Sequence, residues 1–447
     1  MDLDYRSENA ASDMKIAIIG AGWAGLAAAV KAVQHKHEVT LFEMASTLGG
    51  RARTVQTHGQ RHDNGQHILI GAYHHTLDLM RELGVDTDQA LHRTPLSLMD
   101  PSGSGLALRT TSSATAFAVA VLRHGSWKWS SRLALLRESA RWALSGFQCA
   151  YDLSVEGLSQ GLPQEVRQGL VDPLCVAALN TPPSRASARV FLRVLRDALL
   201  TGRGSADLLL PSRPLGDLLP LPAQDWLERH GAQLKLRQRV ASLDRTGAGW
   251  QLCGSYFDGV ILACSAKEAA RLTRDHDPHW SGLASQIPHE AISTVYLRCD
   301  GARLKTPMTF LPKGPAQFAF DLKAMGHTGG GFAFVISAAD EFCSLGRERL
   351  AQAVLQQAQD QFPAHTWPQA PRVEAVLTEH RATFRCEPGI TRPSARLAGN
   401  LWAAGDYVDG PYPATLEGAV RSGQYAAEGL AGIASAMQNA HPNRGSS

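Results

Sequence analysis

The chain has 447 residues, of which 44% are hydrophobic and 19% are charged, and its formal net charge is +3. This length exceeds what one simple core requires and predicts two or three domains. The small net charge excludes a strongly basic protein whose whole surface would attract nucleic acid.

Seven cysteines are scattered along the chain, at positions 149, 175, 253, 264, 299, 343 and 386. An odd count without a CxxC pair matches neither a metal site nor a disulfide framework, and it is typical of a reducing cytosol. We therefore expect a cytoplasmic protein with no bound metal. No stretch reaches the roughly 20 apolar residues that span a bilayer.

The first predicted elements are a strand and a helix joined by a glycine-rich turn. Lys15–Ile19 is an apolar run that predicts a buried parallel strand, and Leu26–Gln34 predicts a helix. Between them, Gly20 permits a tight turn, Gly22 lets the backbone approach a pyrophosphate, and Gly25 lets the helix pack on the strand. The expected dinucleotide contacts are Gly20, Ala21, Gly22, Trp23, Ala24 and Gly25.

A second predicted strand, Glu38–Phe42, is followed by Glu43, whose carboxylate is placed to accept hydrogen bonds from an adenosine ribose. The sequence LGGRAR comes next. Its glycines, Gly49 and Gly50, would give backbone amides access to a diphosphate, and Arg51 would offset the diphosphate charge. The N-terminal part of the chain therefore predicts a dinucleotide site.

The segment after this site combines apolar residues with basic residues and tryptophan. Ala114–Leu122 is apolar but too short to span a membrane, and it precedes Trp127, Trp129 and Trp142 among several arginines. Two interpretations stay open. The segment is either a helix on an anionic membrane surface or a solvated amphipathic helix that covers a second domain.

The middle of the chain predicts three further strands. They are Lys235–Val240, Trp250–Gly254 and Val260–Cys264, with a turn at Thr246–Gly249 before the second. Near the C-terminus, Leu401–Ala404 predicts another strand, and Gly405-Asp406 is the turn at its end. Pro413 and Thr415 then open a helix that continues over Glu417–Leu430.

Several of these motifs resemble the superfamily of FAD amine oxidases and phytoene desaturases. The motifs are GAGWAGLAAA, GGRAR, DNGQHILIGAY and PATLEGAVRSG, and GGRA directly after the acidic strand end is the specific one. The block 171–232, with PLCVAALNTPP and LLLPSRPLGDLLPLPAQDWLERHGA, resembles the hydroxysqualene dehydroxylase family, bacterial flavoenzymes also described as squalene-associated FAD-dependent desaturases.

The resemblance implies that FAD is the cofactor and assigns further contacts to it. Asp406 would bind the ribityl or pyrophosphate region, Val240 would contact adenine through its backbone, and the helix start would face the flavin ring. The residues assigned in this way are Val240, Gly405, Asp406, Thr415 and Leu416. A positive helix end at the ring stabilises the anionic reduced flavin.

The implied reaction is reductive removal of the hydroxyl of hydroxysqualene, giving squalene for hopanoid or related lipids. An acid is needed because hydroxide is a poor leaving group, and the candidates are His67, Tyr412 and Asp63. The alternatives are a carotenoid-type desaturase, an amine oxidase, and a non-catalytic flavin-stabilised scaffold. The expected partners are a long-chain isoprenoid substrate, prenyl synthases of the squalene pathway and an unknown electron donor.

The expected fold class is α/β, with a Rossmann-like FAD-binding domain and an inserted substrate domain of helices and mixed sheet. The FAD domain is discontinuous and comprises residues 14–90, 205–265 and 395–432. The substrate domain comprises residues 91–204 and 266–394. The termini, 1–13 and 433–447, are polar or rich in small residues and are expected to be flexible.

Overall fold

The computed structural model describes residues 14–57 and 59–440 of the chain. Helices and strands occur along the whole described chain, and one parallel sheet is combined with several antiparallel sheets. The predicted α/β class is therefore confirmed. Residues 1–13 and 441–447, which we expected to be flexible, lie outside the described residues.

The strands are short, apart from two long strands in the second half of the chain. In chain order they are β1 Lys15–Ile19, β2 Glu38–Phe42, β3 Thr54–Thr57, β4 Gln60–Asp63, β5 Leu69–Ile70, β6 Leu91–Thr94, β7 Ser97–Met99, β8 Gly105–Ala107, β9 Leu208–Pro211, β10 Gln233–Lys235, β11 Asp244–Thr246, β12 Gly249–Leu252, β13 Ser255–Phe257, β14 Gly259–Leu262, β15 His289–Arg298, β16 Met308–Phe310, β17 Phe318–Asp321, β18 Phe332–Ile336, β19 Arg372–Phe384 and β20 Leu401–Ala403.

The helices range from single turns to one long C-terminal helix. In chain order they are α1 Trp23–Gln34, α2 His74–Glu82, α3 Thr87–Ala90, α4 Ala114–Leu122, α5 Trp129–Leu144, α6 Val155–Leu158, α7 Gln164–Val166, α8 Asp172–Leu179, α9 Ala188–Leu200, α10 Pro220–Arg229, α11 Ala266–Thr273, α12 Pro278–Ser285, α13 Leu322–Met325, α14 Asp340–Cys343, α15 Arg347–Gln361 and α16 Leu416–Ala440. A π-helical turn, Arg167–Val171, joins α7 to α8.

A five-stranded parallel sheet in the order β10-β2-β1-β14-β20 organises the first layer. Its strands come from three distant parts of the chain, since β20 follows β14 by well over a hundred residues. Parallel strands are buried on both faces, which is why β1 and β14 are continuous apolar runs. Helices α1 and α16 pack on the sheet and on each other.

A second five-stranded sheet, antiparallel and in the order β16-β17-β18-β15-β19, lies wholly within residues 266–394. Helix α15 covers one face of it through a separate apolar cluster that includes Phe334 and Val354. A smaller sheet, β5-β9-β6, joins strands on both sides of the predicted boundary at residue 90. The domain limits themselves remain a prediction.

The predicted strand Lys235–Val240 is wrong, because β10 ends at Lys235. Arg237 adopts a φ of 57°, in the left-handed region, and this turns the backbone away from the sheet. The amide of Arg237 donates to the carbonyl of Ala45 (3.0 Å), and the amide of Gln238 donates to that of Glu43 (2.9 Å). The chain therefore crosses the end of β2 instead of extending alongside it.

Other helices and strands begin or end a few residues away from their predicted boundaries. Helix α1 begins at Trp23, before the expected Leu26, and β14 occupies Gly259–Leu262. Cys253 turns the chain with a φ of 49°, so the predicted strand Trp250–Gly254 is shorter and a separate strand β13 follows it. Helix α16 continues to Ala440, past Ile433, where we expected the chain to fray. Among the helices in described residues, none combines the length and apolar character needed to cross a bilayer.

Candidate functional site

The two glycine motifs of the N-terminal part pack directly against each other at the end of β1. Gly20 has a φ of 105°, and a Cβ on it would come within 2.6 Å of the carbonyl oxygen of Ala263. Gly22 and Gly49 form a parallel bridge, and the Gly49 amide donates to the Ala21 carbonyl across 2.8 Å. A Cβ on Gly50 would approach Cα of Gly22 to 3.1 Å. The motifs therefore form one backbone cradle.

Residues of the GAGWAG turn also contact neighbouring segments of the chain. A Cβ on Gly25 would overlap the Gly20 carbonyl, so close helix-to-turn packing requires glycine there. The indole nitrogen of Trp23 donates to the carbonyl of Ala52 (2.9 Å), and Trp23 is buried. The Ala24 carbonyl faces Gly423 of α16. In this structure Trp23 and Ala24 thus hold neighbouring segments in place.

Glu43 lies buried at the end of β2. Its carboxylate accepts a hydrogen bond from the amide of Ala21 (2.8 Å) and another from the amide of Ala45 (2.8 Å). The side chain therefore fixes the glycine turn relative to β2. Each oxygen keeps a further lone pair that can accept a ribose hydroxyl.

Arg51 and Asp406 connect the two ends of the chain. The Nη2 atom of Arg51 lies 2.5 Å from Oδ1 of Asp406, and Nη1 donates to the carbonyls of Arg381 (3.3 Å) and Ala382 (2.9 Å) on β19. Asn64 in turn donates to the Arg51 carbonyl and to Glu379. The guanidinium of Arg51 is thereby paired with Asp406. The structure does not test the expected contact of Arg51 with a diphosphate.

The return segment is held to the start of α16 by local hydrogen bonds. The amide of Gly405 donates to Oγ of Ser422 (2.8 Å), and Oγ1 of Thr415 accepts from the amide of Gly418 (3.1 Å). Thr415 therefore caps the helix directly before Leu416, its first residue. Leu416 is partly buried against the apolar cluster around α1.

Two charged residues that the sequence did not single out organise this segment. Arg392 donates to the carbonyls of Asp406 (3.2 Å) and Tyr412 (3.1 Å) and to that of Gly410. Glu417 is buried and accepts from the amide and hydroxyl of Thr76 (2.9 and 2.8 Å), which ties α16 to α2. Nothing local in the sequence marks Arg392, because its acceptors are backbone atoms.

Two polar atoms near these motifs are buried without a hydrogen-bond partner. They are the hydroxyl of Tyr407, beside Gly405, and the amide nitrogen of Gln66, in the DNGQH segment. A buried donor without an acceptor costs roughly 1–3 kcal/mol. A dinucleotide with many oxygen acceptors would satisfy both groups, so the residues present fit FAD.

Val240 is buried after the turn at Arg237, and its carbonyl accepts from Nη2 of Arg271 (2.8 Å). Arg271 also pairs with Glu268 across 2.7 Å. The carbonyl of Val240 thus has an intramolecular partner. The structure does not test the expected adenine contact.

Asp63 has structural partners on three segments of the chain. Its Oδ1 accepts from the hydroxyl of Thr54 (2.9 Å) and the amide of Leu215 (2.9 Å), and its carbonyl accepts from the hydroxyl of Tyr296 (2.8 Å). Burial raises the pKa of Asp63 to about 6, although the hydrogen bonds from Leu215 and Thr54 and the charge of Arg61 oppose the shift. Asp63 therefore links the β3–β4 hairpin to the segment before α10.

His67 is held by its own turn. Its Nδ1 lies 2.8 Å from the Gly65 carbonyl, which can only accept, so Nδ1 carries the hydrogen. Burial lowers the pKa of His67, and the nearby charge of Arg51 acts in the same direction. A neutral imidazole with a lone pair on Nε2 is a proton acceptor. This protonation state is the wrong one for a general acid.

Tyr412 lies at a small cavity beside the start of α16. The cavity has a volume of about 30 Å³ and is lined by Ile70, Ala72, Tyr73, Ala178, Val194, Asp197, Tyr412, Pro413 and Thr415. These residues come from the DNGQHILIGAY segment, from the 171–232 block and from the return segment. The structure thus brings three motifs that are distant in sequence to one place, and Tyr412 is the catalytic candidate at it.

Within the apolar motif PLCVAALNTPP, helix α8 is ended by a buried left-handed residue, Asn180, with a φ of 48°. Its side-chain amide donates to Thr383 (2.9 Å), and its oxygen accepts from the amide of Ala338 (2.7 Å). Asn180 therefore fixes the end of α8 to β19 and to the turn after β18. This position directs the neighbouring Ala178 side of α8 toward the cavity.

Comparisons with known proteins identify a family and a fold. A family model described as flavin containing amine oxidoreductase matches residues 23–431. The chain is 28% identical over 428 residues to a hydroxysqualene dehydroxylase of Zymomonas mobilis, covering 92% of this chain and 97% of that protein. It is 24% identical over 505 residues to a zeta-carotene desaturase of Synechocystis, covering 96% and 99%. Its fold is similar to that of an oxidoreductase from Methanosarcina mazei, with a TM-score of 0.70, 16% identity, and coverage of 93% and 100%.

Proposed function

We propose that this chain, which belongs to the flavin containing amine oxidoreductase family, removes the hydroxyl group of hydroxysqualene reductively and forms squalene. The chain is an FAD-dependent oxidoreductase, and the substrate is the proposed part. The observation that carries the proposal is the cavity at Tyr412. It joins a residue of the 171–232 block, Ala178, to the segment that opens α16.

The residues that would hold FAD are those of the backbone cradle, Glu43 and the return segment. The cradle amides and the N-terminus of α1 would face the pyrophosphate. Tyr407 and Gln66 would donate the hydrogen bonds that they lack within the protein. Reduced FAD, when bound, supplies the hydride that replaces the departing oxygen on carbon.

The chemistry that falls to the protein is proton transfer and exclusion of water. An allylic C–O bond breaks readily once its oxygen is protonated, because water is a better leaving group than hydroxide. The cavity is large enough for one hydroxyl group, and Tyr412 on its wall is protonated at neutral pH, since burial raises its pKa. Tyr412 would therefore give the proton.

The surroundings of this cavity suit a long hydrocarbon. Apolar side chains from several elements line it, among them Ile70, Ala178 and Val194. Apolar walls with few polar groups are typical of sites for lipid substrates. The same walls would accept a carotenoid, and the desaturase relative supports that second candidate.

An anaerobic single turnover separates these two functions. Enzyme reduced with dithionite and mixed with hydroxysqualene should regain the absorbance of oxidised flavin and release squalene. Oxidised enzyme mixed with phytoene should show no loss of that absorbance. Reduced flavin that persists with hydroxysqualene, together with bleaching by phytoene, would establish desaturation instead.

The outer surface of α4 and α5 supports a peripheral contact with an anionic membrane. Trp129 and Leu133 are 63% and 58% exposed, and exposed Arg123 and Lys128 lie between the two helices. Trp127 and Trp142, by contrast, are buried. Exposed apolar side chains beside basic ones fit a lipid surface with negative headgroups, and we propose that this surface takes up the substrate from the bilayer.

Sedimentation with vesicles tests the membrane contact. The protein should bind vesicles that contain phosphatidylglycerol and should not bind neutral phosphatidylcholine vesicles. The double variant Trp129→Ala, Leu133→Ala should lose roughly tenfold or more in binding, whereas Tyr256→Ala, which changes an exposed aromatic residue elsewhere, should bind normally. Equal binding by the double variant would exclude this surface.

A further inference from the structure

Tyr412 is surrounded by charges from two helices. The guanidinium carbons of Arg193 on α9 and Arg421 on α16 each lie 5.1 Å from the centre of its ring. The Nη2 atom of Arg193 also lies 3.3 Å from the Tyr412 hydroxyl oxygen. Two guanidinium groups therefore lie beside one phenol, at the wall of a cavity that Asp197 also lines.

Both arginines are held by carboxylates. Asp197 accepts from Nε of Arg193 with both oxygens at 3.0 Å, one helical turn away, and Glu417 lies 3.7 Å from Nη1 of Arg421. The phenol of Tyr73 also lines the cavity and interacts electrostatically with Tyr412. Asp197 fixes the direction in which Arg193 points.

We propose that Arg193 is a positioning residue that makes the Tyr412 hydroxyl the proton donor of the site. A guanidinium can only donate hydrogen bonds, so the Tyr412 oxygen must accept from Arg193. The hydroxyl hydrogen is therefore not shared with Arg193, and Tyr412 lines the cavity in which a proton acceptor would bind. This inference rests on the proposed function, which identifies the proton acceptor as the hydroxyl oxygen of the substrate.

The proposed reaction needs a proton from the Tyr412 hydroxyl and a hydride from reduced FAD. The phenolic proton moves to the substrate oxygen, the C–O bond breaks with both electrons on oxygen, and water leaves. A hydride supplied by bound reduced FAD would fill the vacated position on carbon, and solvent would later return a proton to the phenolate. Arg193 stabilises the phenolate through its hydrogen bond, and both guanidinium charges lower the energy of the anion.

The electrostatic balance agrees with such a donor. Burial raises the pKa of Tyr412, and Asp197 adds to the increase, whereas Arg421 and Arg193 lower it. Tyr412 is therefore protonated at neutral pH and yet less costly to ionise than a buried phenol without cations.

A spectrophotometric titration of the phenol near 295 nm tests the link between Arg193 and Tyr412 without turnover. Protein labelled throughout with a fluorinated tyrosine keeps the titration within the range of folded protein, and subtraction of labelled Tyr412→Phe isolates the signal. In Arg193→Gln the midpoint should rise by about one pH unit. Arg189→Gln is the matched control, since Arg189 lies one turn earlier on α9 over the ring of Tyr151, and it should leave the midpoint unchanged.

The single-turnover rate supplies the second readout. Arg193→Gln should slow oxidation of the reduced flavin by hydroxysqualene at least tenfold, with unchanged flavin content, and Arg193→Lys should recover part of that loss. An identical Tyr412 midpoint in wild type and Arg193→Gln overturns the inference. If wild type fails to turn over hydroxysqualene, the proposed function fails, and the titration still decides whether Arg193 controls Tyr412.

Discussion

Arg51 donates a hydrogen bond to Asp406 across 2.5 Å, although 355 residues separate the two in the chain. The pair joins the GGR motif at the N-terminal end to the return segment after β20. Because Arg51 also donates to two carbonyls on β19, a single side chain connects both ends of the chain to the second sheet.

Arg51→Gln should lower the free energy of unfolding by about 1–3 kcal/mol, because it leaves the nearly buried Asp406 carboxylate without its charged partner. FAD retention should fall with it. Urea denaturation and the flavin-to-protein absorbance ratio measure the two effects. Arg81→Gln removes an exposed pair with Asp78 and should cost less than about 1 kcal/mol. Equal losses in the two variants would contradict a special role for Arg51.

Arg392→Gln should weaken flavin binding more than it weakens the fold. The variant removes a donor shared by the carbonyls of Asp406, Gly410 and Tyr412, so the return loop loses its common anchor. Fluorescence titration of the apoprotein with FAD should give a Kd raised at least tenfold. Arg396→Gln, an exposed neighbour over Trp402, is the control. Unchanged affinity in Arg392→Gln would show that the loop is held by other contacts.

Asp63→Asn should stabilise the protein in a pH-dependent manner. The folded-state pKa of Asp63, about 6, is above its ordinary value of 3.8. The raised pKa of Asp63 contributes to the free energy of unfolding. This contribution is fully present below pH 3.8 and is lost as the pH rises through 6. Asparagine keeps the acceptor oxygen and carries no charge. The advantage of the variant in denaturant should be near zero at pH 4 and roughly 2–3 kcal/mol at pH 7.5; a difference independent of pH would exclude this explanation.

Tyr412→Phe and His67→Ala should separate the two acid candidates. Removal of a general acid slows the chemical step roughly 10²–10⁴-fold, so the single-turnover rate of Tyr412→Phe should fall by that factor. The rate of His67→Ala should fall less than tenfold, because burial lowers the pKa of His67 and the ring is neutral at pH 7. Both variants should retain flavin. A slower single turnover in His67→Ala than in Tyr412→Phe would instead identify His67 as the acid.

The sequence by itself determined the parts of this protein that local chemistry specifies. The glycine spacing, the acidic residue after β2 and the GGR motif predict the cradle, because a backbone that approaches phosphate tolerates few residue types. The apolar runs of β1 and β14 predict the parallel sheet for a similar reason. These signals lie within a few residues of each other in the chain.

The tertiary structure alone decided which side chains meet. The strand predicted at Lys235–Val240 ends early because the left-handed Arg237 turns the chain onto Glu43 and Ala45. Arg392 donates hydrogen bonds to backbone carbonyls, and Arg193 donates one to Tyr412 from another helix. Hydrogen bonds to carbonyls and contacts across hundreds of residues leave no local pattern, because they depend on how the elements pack and not on their order in the chain.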